Sequence, residues 1–378
     1  MKRKKICFVV AIPGTAESFL KDHIATLSQK YDVYLAGNIK DREELADLKI
    51  KDYFSFPIER PISIFNDLKA VTKLALYFKN MKFDAVHSVT PKAGLLTALA
   101  ARAAGIKNRI HIFTGQVWAT RKGSSRTLLK SLDKLIATLD TNILVDSKSQ
   151  RNFLIDEGVV SAAKSLVLGE GSICGVNSDR FYPTPELRNS CRSALGIPNN
   201  KTVFVFMGRL NHDKGLYELL PAFERLAQSR NDVFLLIFGE DEENIASKFI
   251  EYPNLNSENF LYYGPTNEPQ KMLQAGDIFV LPTHREGFGS SVIEAACLGL
   301  PTITSNAYGV LDASIPGKTG LQCEVGNIES LYNTMQSLAN DESLRFQMGK
   351  TGRKRVLDKF SGNVIVSHWL NFYTRLLN

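Results

Sequence analysis

Glu286 and Glu294 stand in a Glu-x7-Glu spacing with the turn Gly287-Phe288-Gly289 between them. Well upstream, Arg209 and Lys214 lie in the stretch Gly208-Arg209-Leu210-Asn211-His212-Asp213-Lys214-Gly215. Each group follows a short apolar run, TVFVFM before the cations and DIFVL before the carboxylates, and each precedes a helical pattern. Strand-to-helix turns of a parallel sheet collect along one edge, so both groups can share a crevice. Arginine offers a planar fork of donors and lysine a mobile point charge, a combination suited to a diphosphate. Carboxylates beside a helix N-terminus can accept hydrogen bonds from sugar hydroxyls while the first amides of the helix hold an anion. A phosphorylated sugar carries both kinds of group.

Structural roles compete for the same residues. Ser291 followed three residues later by Glu294 fits a capping box, with Gly299 and Pro301 ending the helix; on that reading Glu294 only caps. Asp213 is placed to cap the helix after Gly215 and to form a surface ion pair with Arg209 or Lys214. No Asp-x-Asp triplet and no His/Cys ligand spacing occurs, so no metal is expected. Gly169-Glu170-Gly171 with Gly175 lacks both the spacing and the following helix of a dinucleotide fingerprint.

The elements that must position these groups are those of an α/β chain. Short apolar strands such as ICFVVAI, YDVYLAG, FDAVHSV and RIHIFTG alternate with amphipathic helices, among them stretches near 18–29, 67–79 and 125–139. The alternation restarts with TVFVFMGRL and VFLLIFG. A length of 378 residues favours two domains, and the Pro183-Thr184-Pro185 stretch after Phe181 marks the expected division: 1–180, 181–360, and a last helix over 361–378. That helix either crosses back to the first domain or stays on its own. The loop Pro13-Gly14-Thr15, after the first strand, is a further candidate ligand contact.

Charge is uneven. Residues 1–180 carry 28 Lys and Arg against 18 Asp and Glu, whereas the rest carry 18 against 21, so the first domain is the one suited to an anionic surface or acceptor. Five cysteines without a C-x-x-C pair read as reduced core residues of a cytoplasmic protein. The basic start before ICFVVAI imitates a secretory signal but reaches Pro13-Gly14 without a cleavage site, and no apolar run is long enough to span a membrane. Leu128, Leu129, Leu132, Leu135 and Ile136, rimmed by Arg121, Lys122, Arg126, Lys130 and Lys134, form either a helix on anionic lipid or a core-facing helix with a solvated rim.

Together, Gly208-Arg209-Leu210 with Lys214-Gly215, and Glu286-Gly287-Phe288-Gly289 with Glu294, resemble the donor-site motifs of the family 4 glycosyltransferases. The resemblance covers the second half well and the first mainly through topology. It implies the GT-B fold, two Rossmann-like parallel-sheet domains facing across a crevice, and a retaining, metal-independent sugar transfer with no cofactor. It implies that Arg209 and Lys214 neutralise the leaving diphosphate, that Glu286 binds donor-sugar hydroxyls and Glu294 the ribose, and that the amides of Gly287, Phe288 and Gly289 line the sugar and phosphate. The nucleobase would sit near Gly239-Glu240 and Tyr263-Gly264-Pro265. The expected donor is a UDP-N-acetylhexosamine or a deoxy relative. The expected acceptor is a lipid-linked glycan in surface polysaccharide assembly, with an anionic membrane surface as a partner and no nucleic acid. Where the family often has histidine-glycine after RIHIF, this chain has Thr114-Gly115; His87, Lys92, Thr114 and Gln116 are the candidates on that side, and His111 reads as structural. A nucleotide-sugar epimerase and a non-catalytic sugar-nucleotide or glycan-binding protein are the alternatives.

Overall fold

The structure, a computed structural model, describes residues 3–58 and 63–378. It divides into two compact units, Met1–Cys174 with Gly362–Asn378, and Gly175–Ser361. Each is built on one parallel sheet. In the first, β1 (Lys5–Val9), β2 (Asp32–Gly37), β3 (Asp52–Ser55), β4 (Ala85–Val89), β5 (Asn108–Phe113), β6 (Asn142–Val145) and β7 (Ser165–Leu166) lie in the order β3-β2-β1-β4-β5-β6-β7. In the second, β8 (Thr202–Met207), β9 (Val233–Phe238), β10 (Phe260–Gly264), β11 (Ile278–Leu281), β12 (Thr302–Ser305) and β13 (Gly320–Cys323) lie in the order β10-β9-β8-β11-β12-β13. Both are the doubly wound α/β arrangement expected from the alternation.

The strands read as unbroken apolar runs because helices cover both faces of each sheet. Val203 to Phe206 and Val233 to Phe238 are buried throughout, and β8 pairs with β9 in register from Thr202 opposite Val233 to Met207 opposite Phe238. In each sheet the strand order reverses beside a central strand, between β1 and β4 and between β8 and β11, which is where open α/β sheets form ligand crevices at their carboxyl edges. In the second unit the backbone is drawn tight at this edge. A Cβ on Gly239 would stand 1.8 Å from the Gly208 carbonyl oxygen, so the turns after β8 and β9 close only with glycine there.

Of the two placements the sequence leaves open for the last helix, Gly362–Leu377, the structure has it in the first unit. Its Trp369 ring stacks on His23 at 4.1 Å and on His87 at 5.0 Å. Its Tyr373 hydroxyl is 2.7 Å from His87 Nδ1. None of the five cysteines is in a disulfide, and four of them are buried. Among the described residues no helix is long and apolar enough to cross a membrane.

Candidate active site

The switch point of the second sheet brings the two charged groups together. The loop after β8 carries Arg209 to Lys214, the loop after β11 carries Thr283 to Gly289, and the strands themselves are neighbours. Two consecutive residues of each loop pair in opposite senses. Arg285 donates to the Asp213 carboxylate through Nε and Nη2 at 2.9 and 2.6 Å, and Lys214 Nζ donates to Glu286 Oε1. Backbone bonds seal the same seam: the His284 amide and the Thr283 hydroxyl both donate to the Asp213 carbonyl, at 2.7 and 2.8 Å. Lys214 and Glu286 are largely buried, at 17% and 14% side-chain exposure, so their attraction is less screened than that of a surface pair. An ammonium has three donors, and the contact with Glu286 takes one of them.

Arg209 is the exposed member of the group, at 57%, with Nη1 donating to Glu242 Oε1 at 2.8 Å while Asn211 Nδ2 donates to the other oxygen at 2.8 Å. Sequence reasoning missed Glu242, Arg285 and the role of Asp213. For Arg285 and Asp213 the signal was present, since each adjoins a motif residue of opposite charge, Glu286 and Lys214; Glu242 has no such neighbour in sequence. Their partners, though, lie on other loops. Beside the seam, His284 Nε2 is 3.1 Å from Glu218 Oε1, and this bond holds the imidazole above its ordinary value. Burial pushes Glu218 upward, but the bond to His284 prevails and its carboxyl lies below its ordinary value.

The expected capping roles are not what the structure has. The helix that follows the carboxylate loop runs Ser290–Cys297, and its N-cap is Gly289, with φ 96° and no side-chain cap. Glu294 therefore sits two residues past Val292, the position from which a capping-box carboxylate would reach back. It is largely buried instead, and burial pushes its carboxyl up to about 7 against the pull of the Arg180 cation. Asp213 does not cap the next helix either: Gly215 is its N-cap, and the Asp213 carboxylate is engaged by Arg285.

The Phe288 ring is buried 5.1 Å from Phe360, so this residue anchors the turn and has only its backbone left for a ligand. A Cβ on Gly309 would meet the Glu286 carbonyl oxygen at 2.2 Å, so that close approach, which fixes the Glu286 loop, also escaped the sequence reading. The turns after β9 and β10 converge beside them: the Gly239 amide donates to the Gly264 carbonyl at 3.0 Å, and Leu210 N to the Glu240 carbonyl at 2.7 Å. Tyr263 is exposed there. Among the described residues no group of three His, Cys, Asp or Glu side chains is arranged to hold a metal ion.

The first-unit candidates are dispersed. Gly14 is exposed in the first turn of the helix Pro13–Phe19, not in a loop, because Pro13 opens a helix after only three residues past β1. His87, read as reaching a ligand from its strand, is fully buried beneath the last helix; burial and the nearby His111 and His23 hold its pKa well below the ordinary value, so it is a neutral core group. His111 is structural, with Nδ1 2.9 Å from the Ser88 hydroxyl. Lys92 is paired with Asp67 at 2.9 Å. Gln116 is buried and accepts from Gln150 at 3.1 Å, with its own Nε2 lacking a partner. Thr114 remains half-buried at the end of β5.

Two doubly wound parallel sheets, with the paired cations and carboxylates at the switch point of the second, define a GT-B glycosyltransferase. Residues 188–355 match the family of glycosyl transferases group 1. Over its full length the chain is 32% identical to the capsular polysaccharide biosynthesis glycosyltransferase CapM of Staphylococcus aureus, covering 98% of that protein. It is 26% identical, over 94% of its length and 93% of the relative, to the Escherichia coli UDP-Gal:α-D-GlcNAc-diphosphoundecaprenol α-1,3-galactosyltransferase. Among solved structures, Anabaena HepE in complex with UDP and glucose superposes with a TM-score of 0.80 at 18% identity, covering 99% of this chain and all of that one. A Rickettsia africae glycosyltransferase does so with 0.81 at 20%, covering both chains fully. The chain belongs to the group 1 glycosyl transferases and is a glycosyltransferase, which sets aside the epimerase and binding-protein readings.

Proposed function

We propose that this transferase moves a sugar from a UDP-sugar to a lipid-diphosphate-linked glycan during polysaccharide assembly, with retention of configuration and without a metal. The observation that carries the reading is the Lys214–Glu286 pair, held by the Asp213–Arg285 pair beside Arg209 at the sheet's switch point. Fixed cations supply charge stabilisation where negative charge grows on the departing diphosphate, and they need no reorganisation at that moment. Glu286, anchored by Lys214, accepts from donor-sugar hydroxyls, and Glu294 accepts from the ribose. Attack and departure occur on one face of the sugar, with a donor phosphate oxygen taking the acceptor's proton.

The Escherichia coli relative named above and the Campylobacter jejuni N,N'-diacetylbacillosaminyl-diphospho-undecaprenol α-1,3-N-acetylgalactosaminyltransferase, 27% identical over 89% of the chain, support a polyprenyl-diphosphate acceptor by their names. The same names divide on the donor. A UDP-N-acetylhexosamine is the reading kept here, and UDP-galactose is the alternative. The test is transfer to a short polyprenyl-diphosphate-linked sugar in the presence of chelator, with UDP-GlcNAc, UDP-GalNAc and UDP-Gal offered separately. Product mass and the anomeric coupling constant then report donor and stereochemistry. Transfer that needs a divalent ion, or an inverted product, refutes the mechanism.

A further inference from the structure

In the first unit, helices Ile64–Met81, Pro91–Ala103 and Gly123–Leu139 connect β3 to β4, β4 to β5 and β5 to β6, and neighbours among them pack side by side as one layer. The first of these has two apolar stripes. Ala70, Leu74 and Phe78 face the core and are buried. Phe65, Leu68, Thr72 and Leu76, spaced three, four and four residues apart, lie on the opposite side, with Phe65 89%, Leu68 65% and Leu76 57% exposed; Ile64 before them is 78% exposed. A helix with a solvated outer face has no physical reason to carry this second stripe.

The charges say what covers it. The three helices contain eight Lys and Arg but two acids, Asp67 and Asp133. Asp67 is bonded to Lys92, and Asp133 is buried and accepts from Trp118 Nε1 at 2.7 Å. Lys69, Lys73 and Lys79 are exposed around the apolar stripe. An apolar stripe rimmed by cations and free of exposed carboxylates matches the interface of an anionic bilayer, where rings and aliphatic chains enter the acyl boundary and ammonium groups meet phosphates.

We propose that this layer is a membrane-docking face and that the first turns of the helix Ile64–Met81 enter anionic phospholipid. The sequence pointed to the third helix instead. There Ile136 is in the core, and Arg126 and Lys130 are both paired with Glu157 while lying over the buried Trp118 ring. Of that helix's large apolar side chains only Leu128 and Leu135 are exposed. The docking face extends the reading of a lipid-linked acceptor; vesicle binding is measured without either substrate, so its failure leaves the transfer chemistry standing.

The experiment is sedimentation of the full chain with vesicles of phosphatidylcholine alone and of phosphatidylcholine with about 30 mol% phosphatidylglycerol, together with its mass in solution by ultracentrifugation. The wild type partitions at least about tenfold more strongly to the anionic vesicles, and high salt weakens this. F65S/L68S lowers partitioning by about tenfold with an unchanged melting temperature, and L128S/L135S lowers it less. The proposal is overturned if the two lipid compositions bind equally, if F65S/L68S binds as the wild type does, or if L128S/L135S has the larger effect. It is likewise overturned if the wild type is a dimer that F65S/L68S dissociates, because a second copy would then be the occupant.

Discussion

The carboxyl edges of the two sheets are alike in topology and opposite in electrostatics. At the edge of the second sheet, charges are kept, paired across neighbouring loops and only partly shielded: Asp213 with Arg285, Lys214 with Glu286, Arg209 with Glu242. In the first sheet the two strand histidines are neutral and shut in, His87 under Trp369 and Tyr373 and His111 against Ser88. A histidine buried among aromatic rings stays neutral and out of reach of a substrate, whereas a buried ion pair keeps both charges because each compensates the other. The difference teaches that similar sheets divide their work by what covers the switch point, and that cover is set by sequence-distant chain.

If the second edge does the charge stabilisation, Lys214→Ala lowers kcat by about 100- to 1,000-fold, as for removal of one preorganised donor to a developing charge, while the folded fraction stays that of the wild type. Turnover near the wild-type rate would remove Lys214 from the mechanism. Asp213→Asn leaves Lys214 in place but weakens the seam that positions it, and about a tenfold loss of kcat with a smaller change in KM is expected from displaced geometry. A change in KM alone would make Asp213 a binding residue only.

Glu294 sharpens the comparison through pH. Its folded value, about 7, lies above its ordinary 4.5, so between these values the folded protein holds a proton that the unfolded chain has lost. Stability contributed by Glu294 therefore falls as pH rises through that window, and Glu294→Gln should flatten the fall, worth about 3 kcal/mol by linkage. UDP affinity should move the other way, rising several-fold from pH 6 to 8 as the carboxylate forms to accept ribose hydroxyls, and the same variant should abolish this slope. A slope of UDP affinity unchanged in the variant would separate Glu294 from the ribose. The smallest effect on catalysis is expected from the first edge. Tyr373→Phe strands His87 Nδ1 in the core and costs about 1–2 kcal/mol in a denaturant melt, with kcat unaltered.

Much of this was legible in the sequence where a signal is local. Unbroken apolar strands followed by helical patterns gave the two parallel sheets, and the motif spacings singled out Arg209, Lys214, Glu286 and Glu294, of which the structure brings Lys214 and Glu286 into contact. The seam was less legible, since Asp213 and Arg285 look like ordinary loop charges until β8 and β11 are known to be neighbours. The capping box at Ser291 failed because Gly289, with a positive φ, takes the cap position and shifts Glu294 beyond the first turn. His87 failed for a longer-range reason: the residues that bury it, Trp369 and Tyr373, arrive from the other end of the chain. Likewise, the buried Ala70, Leu74 and Phe78 and the outward Phe65, Leu68 and Leu76 both have helical spacing, and only the packing tells which stripe is core.

The most direct test of the central claim is calorimetric titration of UDP into the wild type and into Lys214→Ala, both in chelator. Binding to the wild type without any metal, weakened at least about tenfold in the variant, is the predicted result. Equal affinity in the two proteins, or binding to the wild type only after a divalent ion is restored, would contradict the assignment of the Arg209, Lys214 and Glu286 edge as a metal-independent donor site.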